Sequence, residues 1–325
     1  MKYSSCFSGN TPISKVTFGC GPLSGVDWGN FDINETMSAV SKAYEMGVNV
    51  FDTADVYGLG TSEALLSKAL GSKRHDAVIS TKFGVNWSKH ASQDWAKTFY
   101  DCSPKRVIEA LDASLRRLRV DSIPIYYVHW PDPNTPFSET AEALQRCQDA
   151  GKIQNIGLSN FPLSKIKEIN QDFKIAAVQV QYSLVDREIE KEFLKTCEEL
   201  GIAVFTYGPL AQGFLSGKYN KDSIFDVKDC RSRLSHFDED GFQKYHLTIE
   251  KVREVSEKYG SKDFLVLTYS PNEGMVTESS INNLLSLKYK IQSLDWVHNV
   301  ITLLDIPLLN NSEAPLQERL ESFKT

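Results

Sequence analysis

Residues 45–52 read Glu45-Met46-Gly47-Val48-Asn49-Val50-Phe51-Asp52, and the fold follows from how they are parsed. A helical pattern stops at a glycine, and an apolar run rich in β-branched residues starts at once. Glycine just past a helix suits the left-handed C′ position. The short apolar run after it predicts a strand buried on both faces, as in a parallel sheet. The same unit returns as Asp149-Ala150-Gly151 before Ile153–Leu158, and as Glu199-Leu200-Gly201 before Ile202–Tyr207.

The segments between these runs are amphipathic. Met37, Val40 and Tyr44 form a helical stripe that ends at Gly47. Ser103-Pro104 predicts an N-cap and a first-turn proline. Ile108, Leu111, Leu115 and Leu118 then recur at helical steps, and Arg116, Arg117 and Arg119 gather where the helix dipole favours cations. Ile189, Phe193, Cys197 and Leu200 predict a third stripe before Gly201. Seven strands are expected, near Val16–Cys20, Val48–Asp52, Ala77–Lys82, Ile123–His129, Ile153–Ser159, Ala176–Gln181 and Ala203–Tyr207. Ile301–Leu304 is the best candidate for an eighth. Regular alternation of strand and helix predicts a parallel sheet, either doubly wound or closed as a barrel. The polar stretch 218–245 is expected to be a long loop over one end of the sheet.

Composition narrows the function. The chain has 325 residues, 41% of them hydrophobic, and a formal net charge of −6. An acidic chain is a poor partner for nucleic acid or an anionic membrane surface. No apolar run reaches 18 residues, and Met1–Pro12 is polar, so no membrane span and a cytoplasmic location are expected. Cys6, Cys20, Cys102, Cys147, Cys197 and Cys230 form no C-x-x-C pair and read as reduced, mostly buried thiols. The scattered histidines predict no metal site.

The predicted strands share one property at their C-terminal ends. They finish at or near Asp52, Lys82, His129, Ser159-Asn160, Gln179 and Tyr207, and Tyr57 follows Asp52 closely. Parallel α/β sheets and barrels place their sites at that end. Asp52, Tyr57, Lys82 and His129 form a coherent chemical set. A lysine ammonium lowers the pKa of a nearby phenol, an aspartate holds the lysine charged, and a neutral histidine donates to a carbonyl oxygen. The set suits protonation of an oxygen as hydride arrives at carbon. It does not suit nucleophilic hydrolysis, since no serine or cysteine has an evident base. Glycoside cleavage would need two carboxylates, and the strand ends supply Asp52 with only Asp132 as a remote second.

Six segments, in order, resemble the aldo-keto reductase family. They are Phe51-Asp52-Thr53-Ala54-Asp55-Val56-Tyr57-Gly58, Ser80-Thr81-Lys82, Tyr127-Val128-His129-Trp130-Pro131-Asp132, Gly157-Leu158-Ser159-Asn160-Phe161, Gln179–Arg187 and Tyr207–Tyr219. The resemblance covers about residues 13 to 260 and implies a (β/α)₈ TIM barrel as one domain over 1–325, with 261–325 divergent. It implies an NADP(H)-dependent oxidoreductase acting on an aldehyde or ketone, with a sugar-derived carbonyl among the candidates. Tyr57 would be the general acid, Lys82 its partner, Asp52 the partner of Lys82, and His129 the carbonyl-orienting donor. Ser159, Asn160 and Gln179 would hold the nicotinamide carboxamide, and Tyr207 would stack on its ring. Gly208, Pro209, Leu210, Gln212, Gly213 and Lys218 would hold the pyrophosphate. Gly21 and Asp52 also count among the cofactor contacts. Trp28, Trp87 and Trp130, each after a strand end, are candidate walls of the substrate pocket. Arg231 and Arg233 read as solvated loop charges, with a phosphate clamp as the alternative.

The C-terminal part departs from the family pattern. Leu309–Gln317 is the best match to the turn and helix that bind the adenosine end, and only Gln317 survives as an adenine contact. Glu313 stands where the family offers a cation, and an anion there repels a 2′-phosphate. NADP(H) is favoured on family grounds, and NAD(H) is the alternative. A nucleotide-binding regulatory protein on the same barrel, with little turnover, is the rival reading. Substrate identity, reaction direction and oligomeric state are not legible.

Overall fold

The computed structural model describes residues 1–5, 7, 12–28, 32–88 and 97–258. They fall into two compact units. The first holds residues 1–181, 188–207 and 225–232. Its centre is a seven-stranded sheet: β1 (Thr17–Gly19), β2 (Val50–Asp52), β3 (Val78–Phe83), β4 (Ile123–Val128), β5 (Ile153–Ser159), β6 (Ala177–Gln181) and β7 (Ala203–Tyr207). Each strand pairs in parallel with its neighbour in the chain. Helices α1 (Ile33–Glu45), α2 (Thr61–Leu70), α3 (Pro104–Leu118), α4 (Phe137–Asp149), α5 (Leu163–Asp172) and α6 (Phe193–Glu199) fill the connections. This is the strand-and-helix order of a (β/α)₈ barrel. The expected eighth strand, Ile301–Leu304, lies outside the described residues, as do Glu313, Gln317 and the rest of 261–325. No described helix is long and apolar enough to cross a membrane.

The predicted punctuation is present. Gly47, Gly151 and Gly201 take φ values of 90°, 72° and 67°, each just after a helix. Ser103 caps α3 by accepting from Arg106 N at 3.3 Å, with Pro104 in the first turn. Three details differ from expectation. Ile108 is exposed, and the buried face of α3 is Val107, Ala110, Leu111, Ser114 and Leu118. Positions 107, 111, 114 and 118 lie on one line of the helix surface, and 108 is a hundred degrees away from it. Arg119 is not in the last turn but caps it, in the left-handed conformation at φ 56°. Likewise α6 stops at Glu199, and Leu200 points outward.

The central strands are largely buried on both faces, and the two faces differ. Phe51, Ile79, Tyr126 and Val178 pack with Leu66, Leu111, Leu118 and Leu144 from the helices. The opposite face carries Val50, Val78, Ile125, Tyr127 and Ala177, joined by Ile13. Ile13 belongs to a short antiparallel pair, Tyr3–Ser4 with Ile13–Ser14. A second pair, Val85–Trp87 with Thr98–Tyr100, follows β3. Neither pair is expected from the sequence, because two- and three-residue strands carry too little periodicity.

The second unit comprises 182–187, 208–224 and the described residues from Arg233 onward. Its core is Ala211, Phe214, Leu215, Phe242 and Ile249. The aromatic rings of Phe237, Phe242 and Tyr245 surround Phe214. His236 Nε2 lies 2.9 Å from Asp186 Oδ1, and Ser183 Oγ donates to the other oxygen of that carboxylate at 2.7 Å. The stretch expected as one long loop is thus partly ordered: 3₁₀ turns form at Cys230–Arg233 and Ser235–Phe237, and α7 (Glu239–Lys258) starts within it. Aromatic residues at 237, 242 and 245 bury against Phe214, and that burial is what the mixed charges of this segment concealed.

Candidate active site

Side chains alternate along a strand, so residues two apart share a face. Continue the inner face of Val50, Val78, Ile125 and Ala177 toward the C-terminal ends and the chemistry changes. The next residues on that face are Asp52, then Ser80 and Lys82, then His129 just past β4, and Gln179. Strand register brings them level: Asp52 opposes Ser80, and Gln179 opposes Ser159. A closely spaced polar cluster therefore caps an apolar interior.

Lys82 is the centre of it. Its side chain is 0% exposed and donates to Asp52 Oδ2 at 2.6 Å and to Thr53 O at 2.8 Å. Its ammonium also stands 5.1 Å from the Tyr57 ring centroid. An ammonium has three donors, and the bonds to Asp52 and Thr53 use two of them. Burial alone would lower the Lys82 pKa, but Asp52 and Tyr57 outweigh it and hold the ammonium charged, above its ordinary range. The other Asp52 oxygen accepts from Ser80 Oγ at 2.6 Å and from Gln179 Nε2 at 3.0 Å. Asp52 is thereby fixed from β3 and β6 as well as by the lysine.

Tyr57 sits on the turn after β2, held by its N–H to Ala54 O at 3.2 Å. Burial pushes its phenol above the ordinary tyrosine value, and the nearby ammonium pulls it down by less. Lys82 therefore acts in the direction expected from the sequence, but it does not produce a net lowering. With its pKa raised, the phenol is protonated at physiological pH and carries a proton to donate. The His129 ring meets the Tyr57 ring edge-on, at 5.8 Å between centroids and 82° between planes. Burial first, and the Lys82 charge second, push the His129 pKa well below its ordinary value. The ring is neutral at physiological pH and has one N–H to donate.

The remaining candidates separate into groups. Ser159, Asn160, Gln179 and Tyr207 form one network. Asn160 takes a left-handed φ of 62°, which asparagine tolerates better than most residues. Its Nδ2 donates to His129 O at 3.0 Å and Ser159 Oγ at 3.1 Å, and its Oδ1 accepts from Tyr207 Oη at 2.8 Å. Gly21 lies beside Tyr57 and Trp28: a Cβ on it would stand 3.9 Å from Tyr57 Cε2 and 3.7 Å from Trp28 Nε1. Trp87 lies under the guanidinium of Arg106 at 5.0 Å, and Trp130 is exposed beside Tyr100. In the second unit, Gly208–Lys218 forms a tight turn with left-handed Gln212 and Gly213, at φ 53° and 95°. Gln212 Oε1 is buried there without a protein partner. Arg231 is not a solvated charge. Its guanidinium pairs with the buried Asp229 carboxylate, which a charge pattern in one sequence does not reveal.

Sequence reasoning missed three further contributors. Ser80 anchors Asp52, and only its even spacing from Lys82 hints at this. Asp55 is buried and paired with Arg106, 2.5 Å from its Nη2. Glu63 is buried and accepts from Thr81 Oγ1 and Arg117 Nε, both at 2.6 Å. The arginine partners of Asp55 and Glu63 lie 51 and 54 residues away, beyond any local pattern.

With fold and geometry in hand, the class is a parallel β/α-barrel with a Tyr–Lys–Asp–His cluster at its strand ends. The chain belongs to the aldo/keto reductase family, whose model matches residues 15–270. It is 34% identical over 228 residues to the NADH-specific methylglyoxal reductase of Escherichia coli, covering 66% of this chain and 70% of that one. It is 30% identical over 254 residues to an NADP(+)-labelled aldo-keto reductase of Schizosaccharomyces pombe, covering 76% and 73%. The structure of a glycerol dehydrogenase from Gluconobacter oxydans superposes with a TM-score of 0.72 at 34% identity, over 80% of this chain and 79% of that one. The chain is accordingly an oxidoreductase that couples a nicotinamide cofactor to carbonyl reduction.

Proposed function

We propose that this enzyme reduces a small polar aldehyde or ketone, sugar-derived carbonyls included, with NADPH as its preferred reductant and Tyr57 as the proton donor. One observation carries the assignment of roles. Lys82 is buried and bonded to Asp52 and Thr53 O, with its ammonium 5.1 Å from the Tyr57 ring, and burial keeps the phenol beside it protonated, so it holds a proton it can give away. The bound nicotinamide supplies the hydride. Tyr57 gives its proton to the carbonyl oxygen as negative charge develops there, and Lys82 stabilises the phenolate left behind. Asp52 keeps Lys82 charged and in place. Neutral His129 donates to the same carbonyl oxygen and orients it.

The residues present fit the cofactor. A carboxamide needs donors for its oxygen and acceptors for its nitrogen; Ser159 and Gln179 are buried and Asn160 is half-buried, and their hydroxyl and amide groups include both kinds. Tyr207 offers its ring to the nicotinamide. Gly21 brings backbone close to Tyr57 and Trp28. The turn from Gly208 to Gly213 with Lys218 is proposed for the pyrophosphate, and Gln317 for the adenine. Trp28, Trp87 and Trp130 are proposed to wall the substrate pocket. The substrate class draws support from two relatives whose names specify methylglyoxal and glycerol.

NADPH is proposed over NADH on family grounds, although one relative is named for NADP(+) and another for NADH. Titration with each reduced cofactor, followed by steady-state reduction of glyceraldehyde and methylglyoxal, tests both parts. Tighter binding of NADPH and turnover with it support the proposal. Equal or tighter NADH binding overturns the cofactor preference, and binding without turnover on any carbonyl favours the regulatory reading.

His129→Ala is expected to lower kcat/KM for carbonyl reduction by roughly 10²–10³, the range for one hydrogen-bond donor to a developing oxyanion. Cofactor Kd should change by less than about twofold. Equal losses in both, measured by fluorescence titration and initial rates, would make His129 a structural residue.

A further inference from the structure

Arg106, on the first turn of α3, touches two parts of the molecule that chain order keeps apart. Its guanidinium bonds the carboxylate of Asp55, which is 0% exposed and stands two residues before Tyr57. Its planar group also lies 5.0 Å from the Trp87 ring, on the antiparallel pair that follows β3. A guanidinium can do both at once, because its edge carries the donors and its face stacks on aromatic rings. The backbone closes the connection: Asp55 N donates to Lys82 O at 3.2 Å. The Tyr57 turn, the Lys82 strand and the Trp87 strand thus share one charged link.

Polar satisfaction at this link is incomplete. Asp55 Oδ1 and Arg106 Nε are buried without hydrogen-bond partners. A pair kept only for stability would be replaced at little loss by apolar residues, whereas a pair that fixes two loops against each other has a positional task.

We propose that Arg106 is a positioning residue for the carbonyl pocket: it holds the Trp87 ring in place, and Asp55 holds Arg106 to the turn that carries Tyr57. This rests on the reading of Tyr57 and Trp87 given above. The charge state of Asp55 offers a second handle. Burial pushes its carboxyl up to about 7, against the pull of Arg106. The groups facing it are Arg106 and Arg117 from α3, Glu63 from α2 and Tyr126 from β4. An acid with a raised pKa loses its charge as pH falls through that value, so the link to Arg106 is complete above about 7 and weakened below it.

The test is a double-mutant cycle with Arg106→Lys and Trp87→Ala, each assayed with saturating NADPH. Arg106→Lys keeps the charge for Asp55 but loses the stacking plane. Each single change should raise the KM for the carbonyl about three- to tenfold, the range of one cation–π contact, with kcat and cofactor Kd unchanged. The double variant should be no worse than Trp87→Ala alone. A KM unchanged in Arg106→Lys, or effects that multiply, would overturn the proposal. If Arg106→Lys does not fold, Asp55→Asn gives the same answer by another route. The unaltered enzyme should show a KM that rises as pH falls through about 7, and Asp55→Asn should show a raised KM without that dependence. A pH-dependent KM surviving in Asp55→Asn contradicts the proposal. Absence of turnover in the unaltered enzyme is a separate outcome, and it removes the reading of the reaction as well.

Discussion

Tyr57→Phe is expected to lower kcat for carbonyl reduction by about 10²–10⁴, the usual contribution of a positioned proton donor. That corresponds to about 3–5 kcal/mol of transition-state stabilisation. The substitution removes one oxygen and leaves the ring, so the edge-on contact with His129 is retained. Cofactor Kd should therefore hold within about twofold, and thermal stability should change little. Burial is the reason the effect should be large. The phenol sits above its ordinary pKa and gives up its proton only where Lys82 can compensate the charge. Initial rates and a cofactor titration on the same preparation decide the matter. Retention of more than half the activity would mean that another group is the acid.

Lys82→Met should cost both activity and stability, and the stability term is the more diagnostic. The lysine is 0% exposed and its partner Asp52 is 13% exposed. Removing the cation leaves a largely buried carboxylate held, among the described residues, by Ser80 and Gln179. Breaking a buried ion pair from one side costs about 3–5 kcal/mol. Adding Asp52→Asn should recover part of that loss, because the uncompensated charge is gone, while turnover should stay abolished. Denaturant unfolding of the three proteins measures this directly. A single variant as stable as its parent would show that Asp52 is paired elsewhere.

The legible parts of this molecule are those encoded locally. Gly47, Gly151 and Gly201 announced three helix-to-strand junctions, since a left-handed residue after a helix has a short sequence signature. The strand ends announced Asp52, Lys82, His129 and Gln179, because a polar residue closing an apolar run is visible in one dimension. Parity along the strands then places those side chains on the same face. What was not legible depends on distance in the chain or on environment. The Asp55–Arg106 and Glu63–Arg117 pairs join helices and turns more than fifty residues apart. Ser80 looked like any small strand residue until Asp52 stood beside it. The sequence also predicted a lowered pKa for Tyr57 from the charge of Lys82. The structure reverses the net direction, because desolvation of the phenol is larger and desolvation has no sequence pattern.

Ile108 teaches the same lesson at smaller scale. Three- and four-residue spacing identified the helix, but two stripes fit that spacing, and only packing against β3 and α4 selects the one through Val107 and Leu111.

The central claim is that a hydride moves from the nicotinamide to a carbonyl carbon while Tyr57 protonates the oxygen. The most direct measurement uses NADPH deuterated at the transferring position, with glyceraldehyde as acceptor and mass spectrometry of the alcohol formed. The account predicts one deuterium on the carbinol carbon for each cofactor oxidised in the unaltered enzyme, and a rate at least a hundredfold lower, on the order of the loss of a general acid, in Tyr57→Phe. Cofactor bound without oxidation, or oxidised without deuterium reaching the product, would contradict it.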